Sequence, residues 1–461
     1  MTTIPCAPRA ATTPRAPWAA RMLRAPLALL LAAALALGAA AGAARAAVEI
    51  EEVTSPGGIE AWLVREPSLP FVALELRFRG GSSLDLPGKR GATNLMVGLL
   101  EEGAGALDAR GFAERREALA ASYEFDVYSD AVSVSARFLN ENRAEAVALL
   151  RAALTEPLFD PAALERVRGQ VLAGLRSDET DPQEIASRAF AHAAFGAHPY
   201  GSDQSGTPES VRALTRDDVV EAWERAVARD RVYVGAVGDI APEELGALLD
   251  ALLGGLPAEG ADVPEAAEVL LEGGVEVVPF DTPQSVIVFG HEGIMRDDPD
   301  YIPAFILDGI LGGSGRQSRL MEEVREKRGL TYGIYTYLAP RDLGALYQGG
   351  VQTANATAGE VVEAVREEWR RMAEEGVTEG ELAEAKTYLT GAYPLRFDGN
   401  STIADILVGM QMTGLGPEYV SERNDLVEAV TLEEINRVAA RLLKPDGLSF
   451  VVVGAPEGLG S

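Results

Sequence analysis

The sequence predicts an α+β protein of two homologous domains, each an antiparallel-rich sheet covered by helices, behind a cleaved export signal. Three observations carry this. The chain repeats itself at a constant spacing: Ala213-Leu214-Thr215-Arg216-Asp217-Asp218-Val219 matches Ala429-Val430-Thr431-Leu432-Glu433-Glu434-Ile435. Val232-Tyr233-Val234-Gly235-Ala236-Val237-Gly238 then matches Leu448-Ser449-Phe450-Val451-Val452-Val453-Gly454 at the same offset of 216 residues. Both copies read as a Thr-capped helix with acids in its first turn, followed by a buried strand. Within each copy, period-2 and helical apolar patterns alternate. Finally, the 415 residues that follow the first 46 exceed what one core supports and suggest two domains of about 200 residues.

The first 46 residues read as a signal peptide. Arg9, Arg15, Arg21 and Arg24 form a basic n-region without acids, Leu27 to Leu37 is apolar, and Ala44-Arg45-Ala46 is a small-x-small cleavage site. A single-span anchor is the other way to use such a run, but the apolar stretch is short and alanine-rich. A periplasmic protein with no stable membrane span after cleavage is expected. The only cysteine, Cys6, falls in this segment, so the mature chain has no disulfide and no thiolate metal ligand. Losing the five arginines of the signal takes the formal charge from −29 to −34. That balance argues against nucleic acid, whose phosphates need clustered Lys and Arg.

In the first unit, expected at 47–258, Val72, Leu74, Leu76 and Phe78 alternate with Ala73, Glu75, Arg77 and Arg79, which predicts a half-buried strand. Thr93 to Glu102 and Phe112 to Tyr123 read as helices, Tyr123 to Phe138 as strand, and Asn142 to Leu154 and Ala162 to Arg176 as helices. A Gly-, Pro-, Ala- and Glu-rich stretch supplies a linker at 259–274. The second unit, expected at 275–461, opens with a strand from Ser285 and a helix over Tyr301 to Leu311. Leu330, Tyr332, Ile334, Thr336 and Leu338 are expected on one strand face.

The chemistry concentrates in Gly312-Gly313-Ser314-Gly315-Arg316-Gln317-Ser318-Arg319-Leu320-Met321-Glu322-Glu323-Val324-Arg325-Glu326-Lys327-Arg328-Gly329-Leu330-Thr331-Tyr332. It reads as a glycine-rich loop, a helix ending near Arg325, a Gly329 stop and a strand carrying Tyr332. The loop follows a helix and lacks a Gly-Lys-Ser ending, so it is not a phosphate-binding P-loop. On residues alone, this is a charged helix followed by a core tyrosine.

The whole segment resembles the second domain of the pitrilysin, insulinase and mitochondrial processing peptidase family. The resemblance extends from about Val48 to Gly458. It implies a processing-peptidase-like metallohydrolase fold. It also implies that Arg325 and Tyr332 hold substrate in a catalytic role and that Gly312, Gly313, Ser314 and Gly315 line the substrate.

Such peptidases carry His-x-x-Glu-His on the helix after the first strand, with a distant glutamate as third zinc ligand. Here the helix reads Gly91-Ala92-Thr93-Asn94-Leu95-Met96-Val97-Gly98. The two histidines are replaced by Asn94 and Gly98, the glutamate by Val97 and the third ligand by Arg168. No metal is expected on this chain. The three histidines do not restore a site. His192 and His198 are six apart and do not share a helical face, His198-Pro199-Tyr200-Gly201 reads as a structural loop, and His291-Glu292 is expected to open a surface loop. Glu101-Glu102 reads as an exposed helix end.

The resemblance therefore implies a non-catalytic, substrate-binding subunit of a heterodimeric zinc endopeptidase. Its partner would be a homologous subunit bearing the zinc, and its substrate a peptide. A proteolytically inert scaffold of the same fold is the alternative. A peptidase with some other site is disfavoured, since no Ser-His-Asp or Cys-His set can be assembled.

Overall fold

The computed structural model describes residues 48–313 and 317–459. The expected signal peptide and its cleavage site lie outside them, as do Ser314 and Gly315. No helix among the described residues is long and apolar enough to cross a membrane.

The first half opens with strands β1 (Glu51–Thr54), β2 (Glu60–Arg65) and β3 (Phe71–Arg79). Helices α1 (Ala92–Leu99) and α2 (Ala109–Ala118) lead to the hairpin β4 (Ser122–Val127) and β5 (Ala131–Leu139). Helices α3 (Arg143–Thr155), α4 (Pro161–Asp178), α5 (Pro182–Phe195) and α6 (Arg216–Ala226) precede β6 (Val232–Gly238). The sheet runs β1-β2-β6-β3-β5-β4, antiparallel except where β2 lies parallel to β6.

The second half contains β7 (Gly274–Pro279), β8 (Gln284–Glu292), α7 (Tyr301–Asp308), and the hairpin β9 (Thr331–Arg341) and β10 (Gly344–Ala354). Helices α8 (Ala358–Glu375), α9 (Glu379–Ala392), α10 (Asn400–Met412), α11 (Tyr419–Ala429) and α12 (Leu432–Leu442) precede β11 (Ser449–Gly454). Its sheet runs β9-β10-β8-β11-β7, again with one parallel pair, β7 with β11. Apart from β1, the two sheets share one topology. The internal duplication is thus a structural one. Thr215 and Thr431 each accept a hydrogen bond from the backbone N–H three residues on, and the acid there, Asp218 or Glu434, returns to the threonine.

The two halves exchange helices. Helix α5, from the first half, packs Ala186, Phe190 and Ala194 on Val286 and Val288 of β8 and Val451 and Val453 of β11. Its counterpart α10, from the second half, lies on β3 and β6 of the first sheet. The approach of α10 is close enough to demand a glycine: a Cβ at Gly235 would sit 2.6 Å from the Ala404 carbonyl oxygen. Gln411 Nε2 donates to the Val234 carbonyl at 2.9 Å across the same contact. The linker stretch is pinned rather than loose, with Ala267 N–H donating to Leu343 O at 2.6 Å and Leu270 N–H to Ala194 O at 2.9 Å.

Two expectations are corrected here. The helix expected to reach Tyr123 stops at Ala118, and the chain turns through Ala120, whose φ is 48°. Leu119 and Tyr123 are buried by tertiary packing, which a helical reading of the apolar spacing cannot distinguish from a continuing helix face. His291 does not open a loop. It lies inside β8, paired with Tyr347 of β10, and is 1% exposed. The strand continues because β10 offers it a full ladder to Glu292.

Candidate functional site

In the first half, Gly91 adopts a left-handed conformation (φ 93°) and turns the chain into α1. Asp85 closes the N-terminus of that helix from outside it. Its carboxylate accepts from Gly91 N at 2.8 Å and from Thr93 N at 2.9 Å and Oγ1 at 2.6 Å. Leu95, Met96 and Leu99 anchor the helix in the core. This leaves Asn94 half-buried, Val97 buried and Gly98 exposed.

Helix α4 crosses at this point, since a Cβ on Gly98 would come within 3.0 Å of Val167 Cγ1. The next residue, Arg168, is buried and donates to the Val211 carbonyl while pairing with Glu165 at 3.1 Å. The site therefore has an amide, an apolar side chain, no side chain and a cation where zinc needs imidazoles and carboxylates. These donors do not fit zinc. Among the described residues no group of three His, Cys, Asp or Glu could hold a metal. Glu101 and Glu102 are paired with Arg116 and Arg166. His198 caps its loop, with Nδ1 accepting from Tyr200 N at 3.1 Å, and His192 is exposed on α5.

The other end is irregular. After α7 the backbone widens into π-type turns over Gly309–Gly313 and again over Met321–Lys327. Such widened turns are rare and concentrate at functional sites. Leu320, Met321 and Val324 bury one face of the second segment, and Arg319 ties it to Glu381 at 2.5 and 2.8 Å. Gly329 (φ 65°) terminates it. Its N–H donates to Arg325 O and Leu330 N–H reaches back to Val324 O, both at 3.0 Å.

Arg325 sits in the last turn, partly exposed, with its guanidinium 2.8 Å from Glu326 Oε1. Between Thr331 and Ile334 the pairing of β9 with β10 slips. This bulge corrects the expected strand face: Ile334 and Thr336 point inward, but Tyr332 is turned out and is 92% exposed. Its hydroxyl has no hydrogen-bond partner among the described residues. Tyr335 and Tyr337 continue outward beside it, their rings stacked at 6.2 Å. The sequence reading did not single them out, although the alternation already placed them opposite Ile334 and Thr336.

Gly312 and Gly313 are glycines for packing reasons. A Cβ on Gly312 would meet Thr336 Oγ1 at 2.4 Å, and one on Gly313 would meet Asp308 Oδ2 at 2.2 Å. Beneath them Thr336 donates to Asp308 at 2.7 Å. Burial pushes the Asp308 carboxyl up to about 6. The Tyr347 hydroxyl lies beside this pair, within its electrostatic reach. Farther in, Trp369 Nε1 donates to His291 Nε2 at 2.9 Å, and His291 Nδ1 lies 2.6 Å from Glu292 O. The indole can only donate, so His291 is neutral with its proton on Nδ1. Burial lowers it to about 4. The structure thus groups the glycines with a buried polar core and places Arg325 and Tyr332 on the helix and strand beyond it.

Comparison with known proteins follows this division. The family description "Insulinase (Peptidase family M16)" matches residues 61–207, and "Peptidase M16 inactive domain" matches residues 213–389. The non-peptidase homolog YmxG of Helicobacter pylori is 28% identical over 84% of this chain and 89% of its own length. An uncharacterized zinc protease YmxG of Bacillus subtilis is 24% identical, covering 86% of this chain and 96% of its own. A crystal structure of a peptidase M16 inactive domain from Pseudomonas fluorescens superposes with a TM-score of 0.83 at 28% identity, over 89% of this chain and all of that one. A protease from Helicobacter pylori shares the fold at 0.79 with 16% identity, covering 88% and 99%.

Proposed function

Because the chain belongs to the insulinase (peptidase M16) family, as a non-catalytic member, we propose that it is the substrate-binding subunit of a heterodimeric zinc endopeptidase. Arg325 and Tyr332 would act on a peptide held in the partner's site. The observation that carries this reading is the bulge at Thr331–Ile334, which turns Tyr332 out to 92% exposure with no hydrogen-bond partner among the described residues. A tyrosine kept only for packing would be buried. The guanidinium and the phenol are donors suited to carbonyl oxygens of a bound peptide and to negative charge developing on them. Gly312, Gly313, Ser314 and Gly315 would line the peptide, with the zinc on the homologous partner. We place the complex in the periplasm, on the strength of the basic, apolar and small-x-small character of the first 46 residues. The second reading, an inert scaffold, is supported by the ion pair that occupies Arg325 with Glu326.

Substitution in the assembled complex separates the two. Tyr332→Phe removes only a hydroxyl and is expected to lower turnover by about 10²-fold while assembly is unchanged. Arg325→Ala should act similarly, and the double variant should lose less than the product of the singles if the donors work as a unit. Glu322→Gln, on the same helix, serves as control. Unchanged kinetics in both single variants with an intact complex would favour the scaffold.

A further inference from the structure

A cavity of about 300 Å³ opens between α7, α10, α11 and the turn after α9. Its walls hold an unusual concentration of positive charge for a chain in which 70 acidic residues outnumber 41 basic ones. Arg77, Arg296, Arg396 and Arg423 all line it, and the only carboxylate among them, Asp405, is already paired with Arg77.

The other three arginines have no carboxylate partner among the described residues. Arg423 is 5% exposed. It donates to neutral oxygens, the Leu389 carbonyl at 2.8 Å and Asn424 Oδ1 at 3.1 Å, with the Tyr419 hydroxyl also in reach, and lies over the Tyr393 ring at 4.7 Å. Arg296 lies over Tyr301 at 4.2 Å and donates to the Tyr419 hydroxyl at 2.9 Å. Arg396 is exposed at the rim, with no hydrogen bond or ion pair among the described residues.

A guanidinium does not neutralise itself by losing its proton at ordinary pH. Burying one without a counter-ion costs several kcal/mol, so native proteins pair such charges. Cation–π contacts offset part of that cost and hold the planes of Arg296 and Arg423 in place, but they leave N–H donors unused. Two guanidinium groups held in place, with a third exposed at the rim, around an aromatic-walled cavity make a site for an anion with an apolar neighbour.

We propose that this cavity binds the carboxylate of a peptide, with an apolar terminal side chain against Tyr301 and Tyr393. Its volume is at the small end of ligand sites and suits one residue rather than a folded partner. A planar carboxylate also matches the fork of donors that a guanidinium presents. The carboxylate could come from a chain terminus or from an acidic side chain. The apolar walls favour the terminus, because an internal acid would bring two flanking peptide units in with it. This inference does not depend on the proposed peptidase role, since the isolated chain contains the whole site.

The test uses the isolated full-length mature chain and calorimetry. The probes are acetyl-Ala-Ala-Phe as the free acid, the same peptide as its C-terminal amide, acetyl-Ala-Glu-Ala-amide, and inorganic phosphate. The free acid should bind at least about tenfold tighter than the amide, because charge-assisted hydrogen bonds are lost with the carboxylate. Arg396→Gln, at the exposed rim, should weaken the free acid by about tenfold without affecting folding. Arg423→Gln should weaken it further, with circular dichroism reporting whether it folds. Arg110→Gln, in an exposed pair with Glu114 elsewhere on the surface, should change nothing. Tighter binding of acetyl-Ala-Glu-Ala-amide than of the terminal acid would keep the carboxylate assignment and move its source to a side chain. Equal binding of acid and amide, unchanged affinity in Arg396→Gln, or phosphate binding tighter than either peptide would each overturn the proposal.

Discussion

Helix α1 with its surroundings and the Gly312–Tyr332 segment occupy the two ends of one duplicated design, and they have diverged in opposite ways. Both follow the strand that anchors their sheet, β3 or β8, and both lie in halves with the same strand order and the same threonine cap. Around α1 the backbone is regular and closed: Asp85 takes the helix N-terminus, and Val97 and Arg168 are buried where ligands would be needed. Around Tyr332 it is irregular and open, with two widened turns, a glycine-terminated helix and a bulge. Apolar and internally paired groups close the first region, whereas irregular backbone in the second aims side chains outward.

The largest effect should come from metal binding. The isolated chain is expected to retain no stoichiometric zinc after dialysis. Restoring Asn94→His, Val97→Glu and Gly98→His should give only weak zinc binding while Arg168 remains, because a cation beside the site opposes the ion. Adding Arg168→Glu should tighten it by about tenfold or more, measured by competition with a chelator dye. Tight zinc in the unmodified chain would break the comparison outright.

His291 and Asp308 test the buried polar core of the second half in opposite directions. His291 titrates near 6.5 when unfolded and about 4 when folded. Its stabilising contribution is complete above pH 6.5 and falls as pH drops toward 4, by about 3 kcal/mol in all. His291→Gln should therefore flatten the acid side of the stability curve measured by urea unfolding. Asp308 runs the other way, from 3.8 unfolded to about 6 folded. Its contribution is complete below pH 3.8 and is lost as pH rises through 6, by about 2–3 kcal/mol. Asp308→Asn should gain on the wild type by that amount between pH 4 and pH 7. A constant difference across that range would show that the carboxyl is not held protonated.

The smallest effect compares two glycines. Gly312→Ala drives a methyl into Thr336 and should cost about 1–3 kcal/mol. Gly98→Ala meets only the side chain of Val167 and gains helix propensity of up to about 1 kcal/mol, so its net effect should be near zero. Equal costs at the two positions would remove the distinction between a packed loop and an exposed helix face.

The duplication, the alternating strands and the two threonine caps were legible because each is a local pattern repeated at fixed spacing. Thr215 and Thr431, with Asp218 and Glu434 three residues on, carry their own hydrogen-bond geometry wherever the helix is placed. That Val97 and Arg168 cannot act as zinc ligands was equally legible, since their chemistry is wrong for it in any conformation. What the sequence could not decide was the direction of a side chain once a ladder slips or a strand gains a partner. Tyr332 turned outward because of one bulge. His291 turned inward because β10 extends far enough to pair it, and Trp369, 78 residues away, meets its ring. The exchange of α5 and α10 between the halves, and the cavity that gathers Arg296, Arg396 and Arg423, likewise depend on residues distant in the chain. Periodicity records how a segment folds on itself, whereas burial of a given side chain depends on what the rest of the chain brings to it.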